Sequence, residues 1–221
     1  MKRKYSELKA VIEHHGFEFF EGHYNFNFIG VRANNEITNE WDDDFYLAYQ
    51  KRELNSKTGK KELKDFVFHI DEFTTDPGNY YSKHQLLNEK GVAILARGQH
   101  RGIWSIGMHR GKYEAFVQRV NKVQVFRDGN KDGVIDYEVK DFGIFGINLH
   151  HGYGAAQIGK NSAGCQVAKD KRKLQELIKI FKAGMSYNGG TVSYTLLDAE
   201  DFNALKLIEA RKVTSKPRKK K

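Results

Sequence analysis

The only cysteine of this 221-residue chain stands in Asn161-Ser-Ala-Gly-Cys-Gln-Val167, a short distance after Gly146-Ile-Asn-Leu-His-His-Gly152. A thiol and an imidazole on one cleft make a nucleophile and its base. Ile147 and Leu149 alternate with Asn148 and His150, the period-two pattern of a strand with one buried face. Asn148 and His150 are therefore expected to project together from the other face, with His150 presented rather than packed. Ala163 and Gly164 are small enough to let a substrate backbone approach and to leave main-chain N–H groups free to donate. A free cysteine is most often a small buried hydrophobe, but Ser162-Ala-Gly before Cys165 and Gln166 after it are poor core-strand residues. His150, His151 and Cys165 could also ligate zinc, although adjacent strand histidines point to opposite faces and chelate one metal poorly.

Three other groups of residues carry possible chemistry. Asp128-Gly-Asn-Lys-Asp-Gly-Val-Ile-Asp136 has the oxygen donors and the glycine of the first nine positions of a calcium loop. Position 12 is Val139, where a bidentate glutamate is required, and the flanks Val123–Phe126 and Val134–Tyr137 are strand-like. A hairpin turn is therefore the expectation, with weak calcium binding left open. His109-Arg110 and His100-Arg101 either line the groove and meet a substrate carboxylate or form solvated hairpin ends. His14-His15 closes a helix and suits its C-terminal dipole.

The elements that must position these groups are mostly strands. Leu8, Val11 and Ile12 predict a short amphipathic helix from Tyr5 to His15, ended by Gly16. Residues 24–32, 45–49 and 66–70 are β-rich, and the intervening Asn34–Asp44 and Asn55–Lys61 are polar loops. Thr74-Thr-Asp-Pro-Gly78 is a turn in which Pro77 presets φ and Gly78 accepts φ > 0. Strands at 92–95, 103–106, 115–118 and 123–126, separated by Gly98, Gly102, Gly107 and Gly111, predict a sandwich or barrel. Leu174, Leu177, Ile178 and Phe181 share one face of a helix from Asp170 to a stop at Gly184; 191–197 is a strand and 198–211 is helical. The expected fold is mainly β with peripheral helices (α+β).

The formal charge of +9 is concentrated in a tail: seven of the 37 basic residues lie between Arg211 and Lys221, and without them 30 stand against 28 acidic. Such a tail could bind any anionic polymer, but no aromatic-basic motif or recognition helix points to specific nucleic-acid binding. No apolar run is long enough for a membrane span, and the charged N-terminus has no apolar segment of an export signal behind it. One cysteine makes no internal disulfide.

Asn148-Leu-His150 with Gly152, followed by Ser162-Ala-Gly-Cys165, resembles the signature of the L,D-transpeptidase catalytic domain (YkuD-like), a histidine followed by Ser/Thr-x-Gly-Cys. Val31-Arg-Ala, Thr75-Asp-Pro-Gly78, Gly98–Trp104, His109–Tyr113 and Gly143–Asn148 are similar to segments of a divergent phage and prophage branch. The likeness spans roughly residues 24 to 197. It implies a YkuD-like β-sandwich or barrel over 24–210, an N-terminal extension at 1–23 and a flexible basic tail at 211–221. Three features depart from the cellular enzymes: Ala163 where a second histidine is common, Gln166-Val167 in place of an apolar residue followed by Arg or Asn, and a short His-to-Cys separation.

The resemblance implies that the Cys165 thiolate attacks a peptidoglycan stem-peptide carbonyl while His150 takes the thiol proton. His151, beside Gly152, is the rival base if the strand ends one residue early. The N–H groups of Gly164 and Cys165 would hold the oxyanion, Ser162 would fix the loop, and His109, Arg110 and Gln166 would meet the substrate. Cys165 is then expected to be thiolate-rich near neutral pH. No metal or other cofactor is called for. A protein made in the bacterial cytoplasm without an export signal would reach the wall through a holin-like route or inside a particle. The alternative is a non-catalytic virion component or cargo that keeps the fold as a scaffold, with the basic tail contacting an anionic partner or other virion proteins.

Overall fold

Most of the apolar alternation in the sequence is spent on strands that close on one another. The computed structural model describes residues 3–33, 36–84 and 87–203. Along the chain run α1 (Tyr5–His14), β1 (Asn27–Arg32), β2 (Asp43–Leu54), β3 (Lys61–Thr74), β4 (Val92–Leu95), β5 (Gly98–His109), β6 (Tyr113–Val117), β7 (Val123–Asp128), β8 (Lys140–Gly143), β9 (Leu149–His151), β10 (Gln166–Ala168), α2 (Lys171–Asn188) and β11 (Thr191–Asp198). Eight strands form a closed barrel in the order β1-β11-β5-β6-β9-β10-β3-β2, and β4, β7 and β8 make a separate three-stranded sheet. The protein is mainly β, as the strand patterns predict.

The barrel interior is filled by aromatic and aliphatic side chains, among them Phe28, Phe45, Phe73, Trp104, Phe116 and Tyr194. Leu174, Leu177, Ile178 and Phe181 of α2 pack into the same cluster. Tyr5, Leu8, Val11 and Ile12 of α1 cover Ile29, Val31, Tyr46 and Ala48 on the outer face. All six residues of β1 are buried because both faces are covered.

Several local expectations change. Gly184 does not stop α2, which runs on to Asn188 and ends at left-handed Gly189 (φ +69°). A Cβ at Gly184 would stand 2.6 Å from the Tyr24 ring, so this glycine serves close packing. Gly102 and Gly107 lie within the long β5 instead of separating strands, whereas Gly98 opens β5 after β4. Residues 134–137 form no strand: Val134 makes one bridge to Glu36, and the partner of β7 is β8. The residues described after β11, 199–203, are helical; the rest of the predicted 198–211 helix and the 211–221 tail lie outside the described residues.

Candidate active site

The pairing that builds the site is β9 against β10, which run parallel with Leu149 opposite Gln166 and His150 opposite Val167. Continuing that register places Cys165 level with Asn148. Side chains level across parallel strands share a face, so Asn148, His150 and Cys165 point the same way, and Leu149 and Gln166 point the other. The segment leading into β9 is fixed from behind. Gln118 accepts from the Phe145 and Ile147 N–H groups through Oε1 and donates its own N–H to Asn148 Oδ1, while Trp104 Nε1 donates to Ile147 O (2.7 Å).

The cysteine turn is clamped from its own sequence. Ser162 Oγ donates to Cys165 O (2.9 Å) and accepts the Gly164 N–H (3.1 Å), and Ser162 O accepts the Gly78 N–H (2.9 Å). Gly164 has φ +123°, and a Cβ there would lie 2.0 Å from Ala93 O of β4, so only glycine fits. Gly78 is needed for close approach to Gly159, where a Cβ would meet the carbonyl at 2.1 Å, and it does not take the left-handed φ expected of it.

A cavity of about 310 Å³ opens between the barrel and the small sheet, lined by Cys165, His150, His109, Arg110, Arg127 and Asn148 among others. His150 is 5 % exposed. It is packed into the wall rather than presented, because the His109 ring stacks on it with centroids 4.1 Å apart. Its Nδ1 stands 2.9 Å from His151 O. A carbonyl only accepts, so the neutral ring carries its proton on Nδ1 and keeps an Nε2 lone pair available to take one. The Tyr113 hydroxyl lies 3.4 Å from the same Nδ1. Burial holds His150 down to about 3 and His109 down to about 4, so both are neutral at pH 7.

Cys165 is half-buried. Its Sγ donates to Gly146 O (3.4 Å), and burial pushes the thiol above its usual value, with the Asn148 N–H and the Arg110 charge pulling weakly the other way. The free protein thus holds a neutral thiol and a neutral imidazole on one cavity. The expectation of a thiolate-rich cysteine is corrected: a desolvated sulfur with no imidazolium beside it keeps its proton.

Other site expectations divide. His109 and Arg110 line the cavity with the cysteine, and Asn148 Nδ2 reaches His109 Nδ1 at 3.2 Å. His151 faces away, stacked on Tyr113 at 4.1 Å with its Nδ1 on Gly152 O. It lines neighbouring grooves with Lys171 rather than the cysteine cavity. Gln166 does not reach substrate space: it is 0 % exposed, accepts from Tyr194 Oη (2.7 Å) and donates to Thr75 O (3.4 Å) inside the fold. Strand parity sends it inward. Of the two oxyanion donors expected, the Gly164 N–H is already taken by Ser162, which leaves the Cys165 N–H. His100 bonds Ala96 O (2.8 Å) and sits with Arg101 in a separate open groove.

Sequence reasoning missed Gln118, Tyr113 and Arg127. Arg127 is 4 % exposed, donates to Gly91 O and Asp141 Oδ2, and lies over the Phe145 ring. An arginine in the β-run Val123–Asp128 was the available signal, since a charge buried in a strand needs partners, here Gly91 O and Asp141. Also unforeseen is a polar cluster behind the cysteine loop. Arg32 donates to Thr75 Oγ1 and Leu95 O and pairs with Asp76 (3.3 Å), while Asp43 accepts the Ala33 and Thr75 N–H groups.

Among the described residues no three His, Cys, Asp or Glu side chains converge on a metal position. The molecule is thus a mainly β barrel protein with a cysteine and a histidine on one cavity. No protein-family model, curated protein or solved structure matches the chain.

Proposed function

We propose that the chain is a YkuD-like, L,D-transpeptidase-like cysteine acyltransferase or peptidase of a phage or prophage, acting on peptidoglycan stem peptides. The observation that carries this reading is the shared cavity of Cys165 and His150, with the His150 Nδ1–H committed to a carbonyl and Nε2 left as the accepting nitrogen. On this reading His150 Nε2 removes the Cys165 proton as the substrate carbonyl arrives, and the sulfur attacks the carbonyl carbon. The Cys165 N–H supports the developing oxyanion, and the proton on His150 passes to the leaving amine as a thioester forms. An amine then takes the acyl group to give a crosslink, or water takes it to give hydrolysis. Ser162 holds the turn, and Arg110 at the cavity mouth offers a charge to a substrate carboxylate.

A second reading, a virion component or cargo that keeps the fold as a scaffold, draws on the protonated thiol and on the Sγ–Gly146 hydrogen bond. Incubation with tetrapeptide muropeptides, with products read by mass, separates the two. The enzyme converts them and Cys165→Ala abolishes conversion while the fold is kept. No conversion by the wild type, or equal conversion by Cys165→Ala, removes the enzymatic proposal.

A further inference from the structure

Asp128 ends β7 with 0 % exposure, and neither carboxylate oxygen completes a hydrogen bond. A carboxylate buried without a partner is costly and rare. Among the described residues no arginine or lysine forms an ion pair with it. The N–H groups of Lys131, Asp132 and Gly133 draw toward it, which aims the carboxylate into the loop that follows. That loop, Asp128 to Asp136, carries side-chain oxygens at its first, third, fifth and ninth positions (Asp128, Asn130, Asp132, Asp136) and a glycine, Gly133, at its sixth.

We infer that this loop binds a calcium ion, with Asp128 as the buried ligand. Asn130 Oδ1, Asp132, the Val134 carbonyl and Asp136 supply the remaining protein oxygens, and water completes the shell. Asp132 Oδ1 accepts the Val134 N–H (2.7 Å) and Asp136 Oδ1 accepts the Glu138 N–H (3.0 Å). Among the described residues three carboxylates do not converge here, so binding requires both side chains to turn inward. The twelfth position, where a bidentate glutamate would sit, is Val139, whose carbonyl accepts the Arg127 N–H (3.1 Å). With that ligand missing the affinity falls in the weak range, on the order of 10⁻⁴–10⁻³ M. Calcium suits a mixed, flexible oxygen set better than magnesium, which demands a near-ideal octahedron. Arg127, which lines the cysteine cavity, precedes Asp128, so an ordered loop braces that wall.

The test uses the full chain with calcium chloride, and with magnesium chloride at the same ionic strength as control. At 10 mM calcium the Tm rises by several degrees, with magnesium giving a smaller rise. Terbium gives luminescence sensitised by Tyr137 that calcium reverses. Asp132→Asn and Asp136→Asn, both on accessible positions, fold as the wild type does and lose the calcium shift. Asp128→Asn loses it too and raises the calcium-free Tm, because the buried charge is gone; a purely structural Asp128 would instead lower it. A wild-type Tm unmoved by calcium, no sensitised terbium emission, or a full shift retained in Asp136→Asn overturns the assignment.

Discussion

Because Cys165 is the only cysteine, its alkylation reports the site without interference, and the geometry fixes what that report will be. Burial raises the thiol, and His150, held near 3, offers no imidazolium to stabilise a thiolate. Burial keeps the Cys165 thiol above its ordinary value, so at pH 7 iodoacetamide should modify it more slowly than it modifies a free-thiol peptide. Followed by intact mass between pH 6 and 10, the rate climbs through pH 9 with no plateau near neutrality. His150→Ala changes it less than about twofold in the free protein, since no ion pair is lost. Arg110 is the positive charge acting on the sulfur. Arg110→Ala should lower the ratio of iodoacetate to iodoacetamide rates about two- to fivefold, as expected for a partly screened charge worth about 0.5–1 kcal/mol. A rate already level by pH 7, falling sharply in His150→Ala, would refute the neutral-pair description and restore a preformed thiolate.

Further outcomes follow from the packing around the site. Ser162→Ala strands the Gly164 N–H and the Cys165 carbonyl, costing about 2–3 kcal/mol and lowering Tm by roughly 5–10 °C in a thermal melt. Gly164→Ala, with its Cβ against Ala93 O at positive φ, is expected to cost more than Ser162→Ala in the same assay. Burial and the neighbouring Asp43 push Asp76 up to about 8. The folded state therefore holds a proton that the unfolded chain has lost, and stability declines as pH rises toward 8. His150 and His109 act in the opposite sense, contributing stability that is complete above the ordinary histidine value of 6.5 and lost as pH falls toward 3–4. Melts between pH 6.5 and 8 isolate Asp76: wild-type Tm falls across that window and Asp76→Asn flattens it. An unchanged slope in the variant would contradict the shift.

The strands were legible because their runs are rich in aromatic and β-branched residues: Phe28 sits in 24–32, where aromatic and polar residues alternate, and Phe45 sits in the apolar run 45–49. Asn148 and His150 were correctly placed on one face, since parity along a single strand needs no knowledge of its neighbours. What failed required the neighbours. Gln166 reads as a polar residue beside a nucleophile, and only the β9–β10 register turns it inward to Tyr194. The Gly164 N–H looked free until the Ser162 hydroxyl was seen to occupy it. Gly184 has the composition of a helix stop, yet its missing Cβ answers to Tyr24, a residue 160 positions away in sequence. Burial is likewise a property of the assembled fold, so the protonation states of Cys165, His150 and Asp76 could not be read from spacing.

The proposed chemistry requires that Cys165 becomes acylated. Intact-mass spectrometry of the chain mixed with a tetrapeptide muropeptide and quenched in acid tests it directly. The expected product is a thioester adduct equal to the donor less its leaving amine, mapped to Cys165 and absent from Cys165→Ala. An unmodified Cys165 at every time point, under conditions where the protein remains folded, would contradict it.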